Sequence, residues 1–172
     1  MGLFERHLRG LGTKIEGSFL DFARSGNVEE LATELASWET WYDVSPYNGD
    51  RIPFFKRAQI AAADLALAGL ADPTGFERLT LFADNLVPHV LRLDGVLTFA
   101  EDLVRRIDAE ELIEHDSPEE VEIRACALHA VELLVQAHGN TTAAAVDNVL
   151  WHRGGQPRYK ARPRHRARTT AY

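Results

Sequence analysis

One carboxylate stands in an apolar run towards the C-terminal end of the sequence. Asp147 lies within residues 141–151, which read TTAAAVDNVLW, among small and apolar side chains. Burial of an ionised carboxylate without a partner is costly, so an acid on the apolar side of a helix forms an ion pair, caps a helix or takes part in catalysis. No acid follows Asp147. A lone carboxylate there could face a substrate that carries a phosphate or that develops positive charge during reaction.

Other charged residues stand at predicted helix ends, and each of them has two interpretations. Lys56 and Arg57 begin an alanine-rich segment, where they would either strengthen an anion site at a helix N-terminus or form a solvated basic pair. Asp84 precedes Pro88 by four residues. It could hydrogen-bond a ligand amine or N–H group, or else Asp84 or Asn85 caps the helix that begins at Pro88.

Several residue types argue for structure more than for chemistry. Glu120, Glu122 and Arg124 lie near the start of a predicted helix, where a Glu–Arg pair could be an internal strut or a surface ion pair, in either case structural and not catalytic. The histidines show no HExxH or comparable ligand spacing, so we predict no metal and no cofactor. Cys126 is the only cysteine and is expected to be a buried small side chain. The sequence has no phosphate-binding loop, dinucleotide glycine pattern or GxSxG elbow.

Charge is distributed unevenly along the 172 residues. Residues 153–172 hold seven Lys and Arg and no acid, so this segment carries +7 and the rest of the chain −14 of the net −7. An acidic body disfavours nucleic-acid binding except through the basic segment. Composition favours a disordered basic tail over residues 156–172, and the alternative is a segment that folds back to meet phosphate. No apolar run of membrane-spanning length and no signal-peptide core are present, which predicts a cytoplasmic protein.

Hydrophobic spacing predicts an all-α domain over residues 1–155, a compact bundle of short helices with a minor strand or hairpin near residues 42–53 or in the tail. Ser117, Pro118 and Glu120 predict a helix start with a capping box, and Gly139 predicts its end. Asn140 or Thr141 is expected to cap the helix that bears Asp147. The predicted helices cover residues 3–24, 27–39, 53–69, 77–84, 88–97, 117–138 and 141–154.

Four segments, in order, resemble segments of the queuosine salvage family, whose members are queuosine 5′-phosphate N-glycosylases. They are Phe54–Ile60 with Ala63-Asp64-Leu65; Leu81–Asp84 with Val87-Pro88, Val90–Arg92 and Gly95–Leu97; Glu120–Cys126 with Ala130–Leu133; and Asp147 with Leu150-Trp151. The resemblance implies a helical fold similar to that of DNA glycosylases. It also implies hydrolysis of the N-glycosidic bond of queuosine 5′-monophosphate, which releases queuine for reinsertion into tRNA.

The resemblance also implies roles for individual residues. Asp147 aligns with the family's catalytic aspartate, and Phe82 and Asp84 align with positions that contact the base. Trp151 is predicted to bind substrate as well, and Lys56, Arg57 or a tail arginine is expected to bind the 5′-phosphate. An oxocarbenium-like state is stabilised by a nearby carboxylate, which makes the role of Asp147 physically reasonable.

This sequence departs from the family in three respects. It is shorter at the N-terminus, it has Asn85-Leu86 where the family often has Tyr-Arg, and it has His152 where the family has Asp. These differences leave a second interpretation open, a catalytically impaired or non-catalytic helical module that binds queuine, a nucleoside or RNA. Apolar surface left by a missing N-terminal part would need a partner or would promote self-association.

Overall fold

The computed structural model describes residues 19–172, and most of the predicted helix over residues 3–24 lies outside them. The described residues are mostly helical, with one antiparallel hairpin. The elements are α1 (Phe19–Ala23), α2 (Val28–Ala36), β1 (Val44–Tyr47), β2 (Asp50–Pro53), α3 (Lys56–Leu67), a 3₁₀ turn (Phe76–Arg78), α4 (Leu86–Leu93), α5 (Glu101–Asp108), α6 (Pro118–His138), α7 (Ala143–Gly154) and α8 (Pro157–Lys160).

The predicted minor strand near residues 42–53 is confirmed as the β1–β2 hairpin. Val44 pairs with Pro53 and Tyr47 with Asp50. The turn between the strands is Asn48-Gly49, with φ of 50° and 90°. Positive φ at both central residues is what a two-residue hairpin turn needs, and Asn-Gly supplies it at little steric cost.

Helix α3 begins later than the sequence predicts. Pro53 ends β2 instead of opening the helix, and Phe55 precedes the helix in a left-handed conformation with φ of 50°. The backbone N–H of Lys56 donates to Asp43 Oδ2 at 3.0 Å. A carboxylate from the loop before the hairpin therefore caps the helix, so Pro53 is free to remain in the strand.

The helix predicted over residues 77–84 is wrong beyond its 3₁₀ turn. Leu79, Leu81 and Ala83 are buried and alternate with partly exposed residues, which is the period-two pattern of an extended segment. Side chains satisfy its backbone groups: Gln59 Oε1 accepts from the N–H of Thr80 at 2.8 Å. Arg124 Nε donates to the carbonyl of Ala83 at 3.0 Å. These contacts replace the hydrogen bonds that a helix would have made.

Helix α6 has the predicted ends but not the predicted capping box. Ser117 Oγ accepts from the N–H of Glu120 at 3.3 Å, Pro118 is the first helical residue, and Gly139 ends the helix with φ of 71°. The Glu120 side chain accepts from the N–H of Asp116 at 3.3 Å instead of closing a box with Ser117. Cys126 is exposed, contrary to expectation, because it lies on the side of α6 opposite the buried Arg124.

Helix α7 lies between the two larger clusters of buried apolar residues. Thr142 caps it by accepting from the N–H of Ala145 at 3.2 Å, so neither Asn140 nor Thr141, the two predicted caps, is the capping residue. Ala144 packs in the cluster built around α2 and α3, and Ala143 packs in the cluster built around α4 and α6. Asp147 follows these residues by three and four positions and so shares their buried face.

The basic C-terminal segment lies against the body, whereas its composition favours a disordered tail. Tyr159 and His165 are buried, and Tyr159 OH donates to Asp94 Oδ1 at 2.7 Å. The N–H of Ile113 donates to the carbonyl of Arg166 at 2.9 Å. Three arginines of the segment meet acids on the body: Arg158 pairs with Asp94 at 2.6 Å, Arg162 with Asp108 at 2.8 Å and Arg166 with Glu110 at 3.9 Å.

No helix within residues 19–172 is both long enough and apolar enough to cross a membrane.

Candidate active site

A cavity of about 810 Å³ lies between α3 and α7, and we call it the Asp147 cavity. The lining residues of each helix recur at spacings of three and four, so they lie on one face of that helix. From α3 come Lys56, Ile60, Ala63, Asp64 and Leu67, and from α7 come Ala144, Ala145, Asp147, Asn148, Trp151 and His152. Phe76 and Phe82 complete the lining.

The carboxyl group of Asp147 is held in an environment that disfavours its charge. The residue is only 7% exposed, and its Oδ1 has no hydrogen-bond partner in the described part of the chain. Burial, reinforced by the negative charge of Asp84, raises the pKa of Asp147 to about 7, against a hydrogen bond from the Phe82 backbone and the positive charge of Lys56. Near neutral pH the group therefore exists in both protonation states, as suits a catalytic acid or base.

Phe82 and Asp84 reach the same side of the extended segment because residues i and i+2 of an extended chain share a face. Phe82 is partly buried and lines the Asp147 cavity. Asp84 Oδ1 accepts from the N–H groups of Leu86 at 2.7 Å and Val87 at 3.2 Å. Asp84, not Asn85, thus caps α4, and its other oxygen, Oδ2, is left without a hydrogen bond in the described structure.

Lys56 and Arg57 are neighbours in sequence but lie in different surroundings. Lys56 lines the Asp147 cavity, and its positive charge acts on the pKa of Asp147. Arg57 is not among the lining residues. Its guanidinium donates to the carbonyls of Thr40 at 3.0 Å and Thr170 at 2.9 Å, which fastens the C-terminal segment to the loop after α2.

Trp151 and His152 form one rim of the Asp147 cavity. Trp151 is 53% exposed, and its ring meets that of His152 edge-on at a centroid distance of 5.3 Å. His152 Nδ1 lies 2.8 Å from the carbonyl of Asn148, which fixes the ring against its own helix. An exposed indole at the mouth of an apolar cavity offers a flat surface for a heterocycle.

Behind the cavity, buried charges connect its walls. The Arg124 network consists of Arg124, Asp43, Glu120 and the Ala83 carbonyl, and the three side chains are almost completely buried. Arg124 Nη2 lies 2.7 Å from Asp43 Oδ2, and its Nη1 lies 3.6 Å from Glu120 Oε1. Of the two forms that the sequence left open for a Glu–Arg pair, the structure has the internal one, between Glu120 and Arg124, and Asp43 is the closer partner of Arg124.

The Arg124 network positions two lining residues at once. Asp43 Oδ2 accepts the N–H of Lys56, and Arg124 Nε donates to the carbonyl of Ala83, next to Phe82. The guanidinium also lies 3.9 Å from the ring centroid of Phe54 and 4.6 Å from that of Tyr172. Burial and the neighbouring Glu120 raise the pKa of the Tyr172 hydroxyl. This ring therefore stays uncharged where it covers the network.

A histidine between two carboxylates stands at the start of α6. His115, Asp116 and Glu120 bring potential ligand atoms within 4.8 Å of one another. His115 Nδ1 faces Glu120 and Nε2 faces Asp116, each at 3.6 Å. The ring bridges the two acids instead of offering one nitrogen beside both, and we assign it no step of the reaction.

Sequence reasoning singled out Asp147, Lys56, Phe82 and Trp151, and the structure brings these four to one cavity. Sequence reasoning missed Asp43 and the apolar residues of α3 that line the cavity. The spacing of Ile60 and Leu67 from Lys56 would have placed them on its helical face. No local signal marks Asp43, whose partner is 81 positions away.

Comparison with known proteins identifies the family of the chain. The family model described as "Queuosine salvage protein" matches residues 6–172. A queuosine 5′-phosphate N-glycosylase/hydrolase of Sphaerobacter thermophilus is 36% identical over 175 residues, which cover 94% of this chain and 54% of that protein. The Dictyostelium discoideum protein of the same name is 32% identical, over 97% of this chain and 57% of its own length.

The Bos taurus protein of that name is 30% identical, over 80% of this chain and 44% of its own length. The chain thus spans about half the length of the curated relatives it matches.

Proposed function

The chain belongs to the queuosine salvage protein family, and we propose that it hydrolyses the N-glycosidic bond of queuosine 5′-monophosphate. The products are the base queuine, which can be reinserted into tRNA, and ribose 5-phosphate. We also propose that its helices adopt the DNA-glycosylase-like arrangement of the family. The first proposal extends to this chain what its longer relatives are named for, and the second rests on the resemblance of the sequence segments.

The observation that carries the proposal is the buried carboxyl of Asp147 in a cavity lined by a cation and aromatic rings. Cleavage of the C1′–N bond leaves positive charge on the sugar, spread over C1′ and the ring oxygen. An ionised carboxylate in a poorly solvated site stabilises that charge far better than water does. The same environment that destabilises the free anion therefore favours the transition state.

Asp147 acts in the hydrolysis in its ionised form. Either it holds and deprotonates the water whose oxygen bonds to C1′, or its free oxygen attacks C1′ directly and water then hydrolyses the sugar ester. In both routes the base leaves with the bonding electron pair and is protonated. The unpartnered Oδ1 is the oxygen available for this contact, because the other oxygen faces the Phe82 backbone.

Three lining residues, together with Asp84, whose charge acts on Asp147 although it does not line the cavity, hold the two ends of the substrate. Phe82 packs on the heterocycle, Asp84 accepts from a base N–H through Oδ2, and Trp151 covers the mouth of the cavity. Lys56 is the phosphate ligand, because its ammonium is the cation that reaches the Asp147 cavity within the described residues. Arg57, the second candidate, serves the fold through its bonds to Thr40 and Thr170.

The test is release of free queuine from queuosine 5′-monophosphate, followed by mass spectrometry, with wild type and Asp147→Asn. We expect the variant to lose roughly 100- to 1000-fold in rate, as for removal of one preorganised transition-state contact. Asp50→Asn is the matched control, an exposed carboxylate in the hairpin that should leave the rate unchanged. No release by folded wild-type protein, or equal rates for wild type and Asp147→Asn, would refute the proposal.

A further inference from the structure

A second cavity, of about 610 Å³, lies next to the first and borders on the same Trp151 and His152. We call it the basic cavity. Its floor includes Leu86 and His89 from α4, and its far wall is the C-terminal segment. The cationic lining residues are Lys160, Arg162, Arg164 and Arg166, and the acidic one is Glu110.

The positive charge of the basic cavity is only partly neutralised. Arg162 is paired with Asp108, and Arg166 Nη2 donates to the carbonyl of Glu110 at 2.7 Å. Lys160 and Arg164 have no carboxylate partner within residues 19–172, although the protein as a whole is acidic. Two unpaired cations gathered at one cavity of an acidic protein favour an anionic ligand.

A buried histidine on the floor of the basic cavity has an unused hydrogen-bonding atom. His89 is 3% exposed, and its Nε2 donates to the carbonyl of Tyr159 at 2.9 Å. Nδ1 has no partner in the described structure. Burial, with the charges of Arg92, Arg164 and Arg162 adding to it, lowers the pKa of His89, so Nδ1 carries a lone pair and needs a hydroxyl or other donor.

The unpaired cations define the ligand chemistry. Lysine and arginine side chains without carboxylate partners suit phosphate oxygens. A phosphorylated sugar supplies such oxygens. The shared rim at Trp151 and His152 places such a ligand next to the nucleoside that the Asp147 cavity would hold.

We propose that the basic cavity binds a second phosphate group on the ribose of the substrate, so that the enzyme also accepts nucleotides phosphorylated at two ribose positions or linked to a neighbouring nucleotide. The identity of the ligand as a nucleotide rests on the proposed function, whereas the binding of an anion in the basic cavity does not depend on it. Lys56 would hold the 5′-phosphate on one side of Trp151, and Lys160 and Arg164 the second phosphate on the other.

The first experiment compares two ligands in an Asp147→Asn background, in which turnover is slow enough for binding to be measured. Calorimetry would measure the Kd of queuosine 5′-monophosphate and of queuosine 3′,5′-bisphosphate. We expect the bisphosphate to bind at least tenfold more tightly. Adding Lys160→Gln and Arg164→Gln should abolish that difference and leave the Kd of the monophosphate unchanged.

Arg168→Gln is the matched control, since Arg168 is exposed in the same segment and lines neither cavity. It removes one charge and should alter neither Kd. Equal affinity for the two ligands would overturn the proposal. So would a double variant that weakens both ligands equally, because the basic cavity would then hold the 5′-phosphate.

The second experiment separates the anion site from the proposed function. Inorganic pyrophosphate is titrated into ¹⁵N-labelled wild-type protein, and the Arg164 Nε and His89 ring nitrogen signals are followed by NMR. We expect saturable shifts that are absent from Lys160→Gln/Arg164→Gln. If these shifts occur and no queuosine nucleotide binds, the proposed function fails while the anion site stands. If pyrophosphate leaves both signals unmoved, the anion site is refuted.

Discussion

Asp147 determines the expected pH dependence of the reaction. Its pKa of about 7 means that the fraction of ionised carboxylate rises through neutral pH. If the anion stabilises the developing positive charge, kcat/KM should rise with pH and level off above a midpoint near 7. Queuine release measured between pH 5 and pH 9 checks this. A fall in kcat/KM over that range would show that the protonated acid is the active form.

The burial of the Asp147 carboxyl should lower the free energy of unfolding at neutral and higher pH. Its folded-state pKa is raised above the unfolded value of 3.8, so the folded state binds more protons between pH 4 and pH 7. The free energy of unfolding therefore falls as pH rises through that window. Since one pKa unit corresponds to about 1.4 kcal/mol, Asp147→Asn should stabilise the protein by roughly 2 to 4 kcal/mol at pH 8.

Thermal unfolding of wild type and Asp147→Asn at pH 4 and pH 8 measures this effect. The gain in stability should be present at pH 8 and should be small at pH 4, where the folded state is protonated and the unfolded carboxyl, with a pKa of 3.8, is only partly ionised. Asp50→Asn, on the exposed hairpin, should show no such difference. A gain in Asp147→Asn that does not vary with pH would contradict the raised pKa.

At the scale of elements, the approach of α7 to α4 depends on Gly154. A Cβ atom at this position would lie 2.8 Å from Leu86 Cδ1 and 2.9 Å from its Cγ. We expect Gly154→Ala to lower the free energy of unfolding by about 1–3 kcal/mol through overpacking. Chemical denaturation measures the change. In the double variant Gly154→Ala/Leu86→Ala, the two losses in the free energy of unfolding should not add. Leu86→Ala removes the side-chain atoms that the new Cβ atom would meet.

Elements with their own end signals were predicted well from the sequence. Ser117 and Gly139 bound α6 as predicted, and Asn27, which caps α2 and exchanges hydrogen bonds with Glu30, stands at the predicted start of its helix at residue 27. Helix α5 was not predicted, although the sequence carries a signal for it. Acids stand in its first turn (Glu101 and Asp102) and bases in its last turn (Arg105 and Arg106), and both interact favourably with the helix dipole.

The segment over residues 79–84 shows why the rest was not predictable. Its apolar residues are compatible with a short helix, and only tertiary partners make the extended form preferable. Those partners, Gln59 and Arg124, are 21 and 41 positions away from the backbone groups that they satisfy. The sequence therefore identified Phe82 and Asp84 as candidates but not the geometry that places them on one face.

At the scale of the whole molecule, we expect acid to loosen the C-terminal segment. His165 is 2% exposed, and burial, followed by the charge of Arg124, lowers its pKa to about 3. The unfolded chain binds a proton near pH 6.5 and the folded one does not, so stability should fall as pH drops below 6.5 towards 3. His165→Phe should reduce this dependence, as measured by Tm between pH 3.5 and pH 7.

Arg168→Ala, at an exposed residue of the same segment, should keep the wild-type dependence of Tm on pH. If His165→Phe also keeps it, His165 is not the group whose protonation weakens the folded state.

Arg124 also bears on how fast the chain folds. Its bonds to Asp43 and to the Ala83 carbonyl close loops of 81 and 41 residues. Closing such loops costs chain entropy before any contact is formed, and a guanidinium is poorly accommodated in a dry interior until its partners arrive. The network should therefore assemble late, after the rate-limiting barrier. Stopped-flow measurements on Asp43→Asn should show faster unfolding and a nearly unchanged refolding rate, whereas slower refolding would place these charges in the folding nucleus.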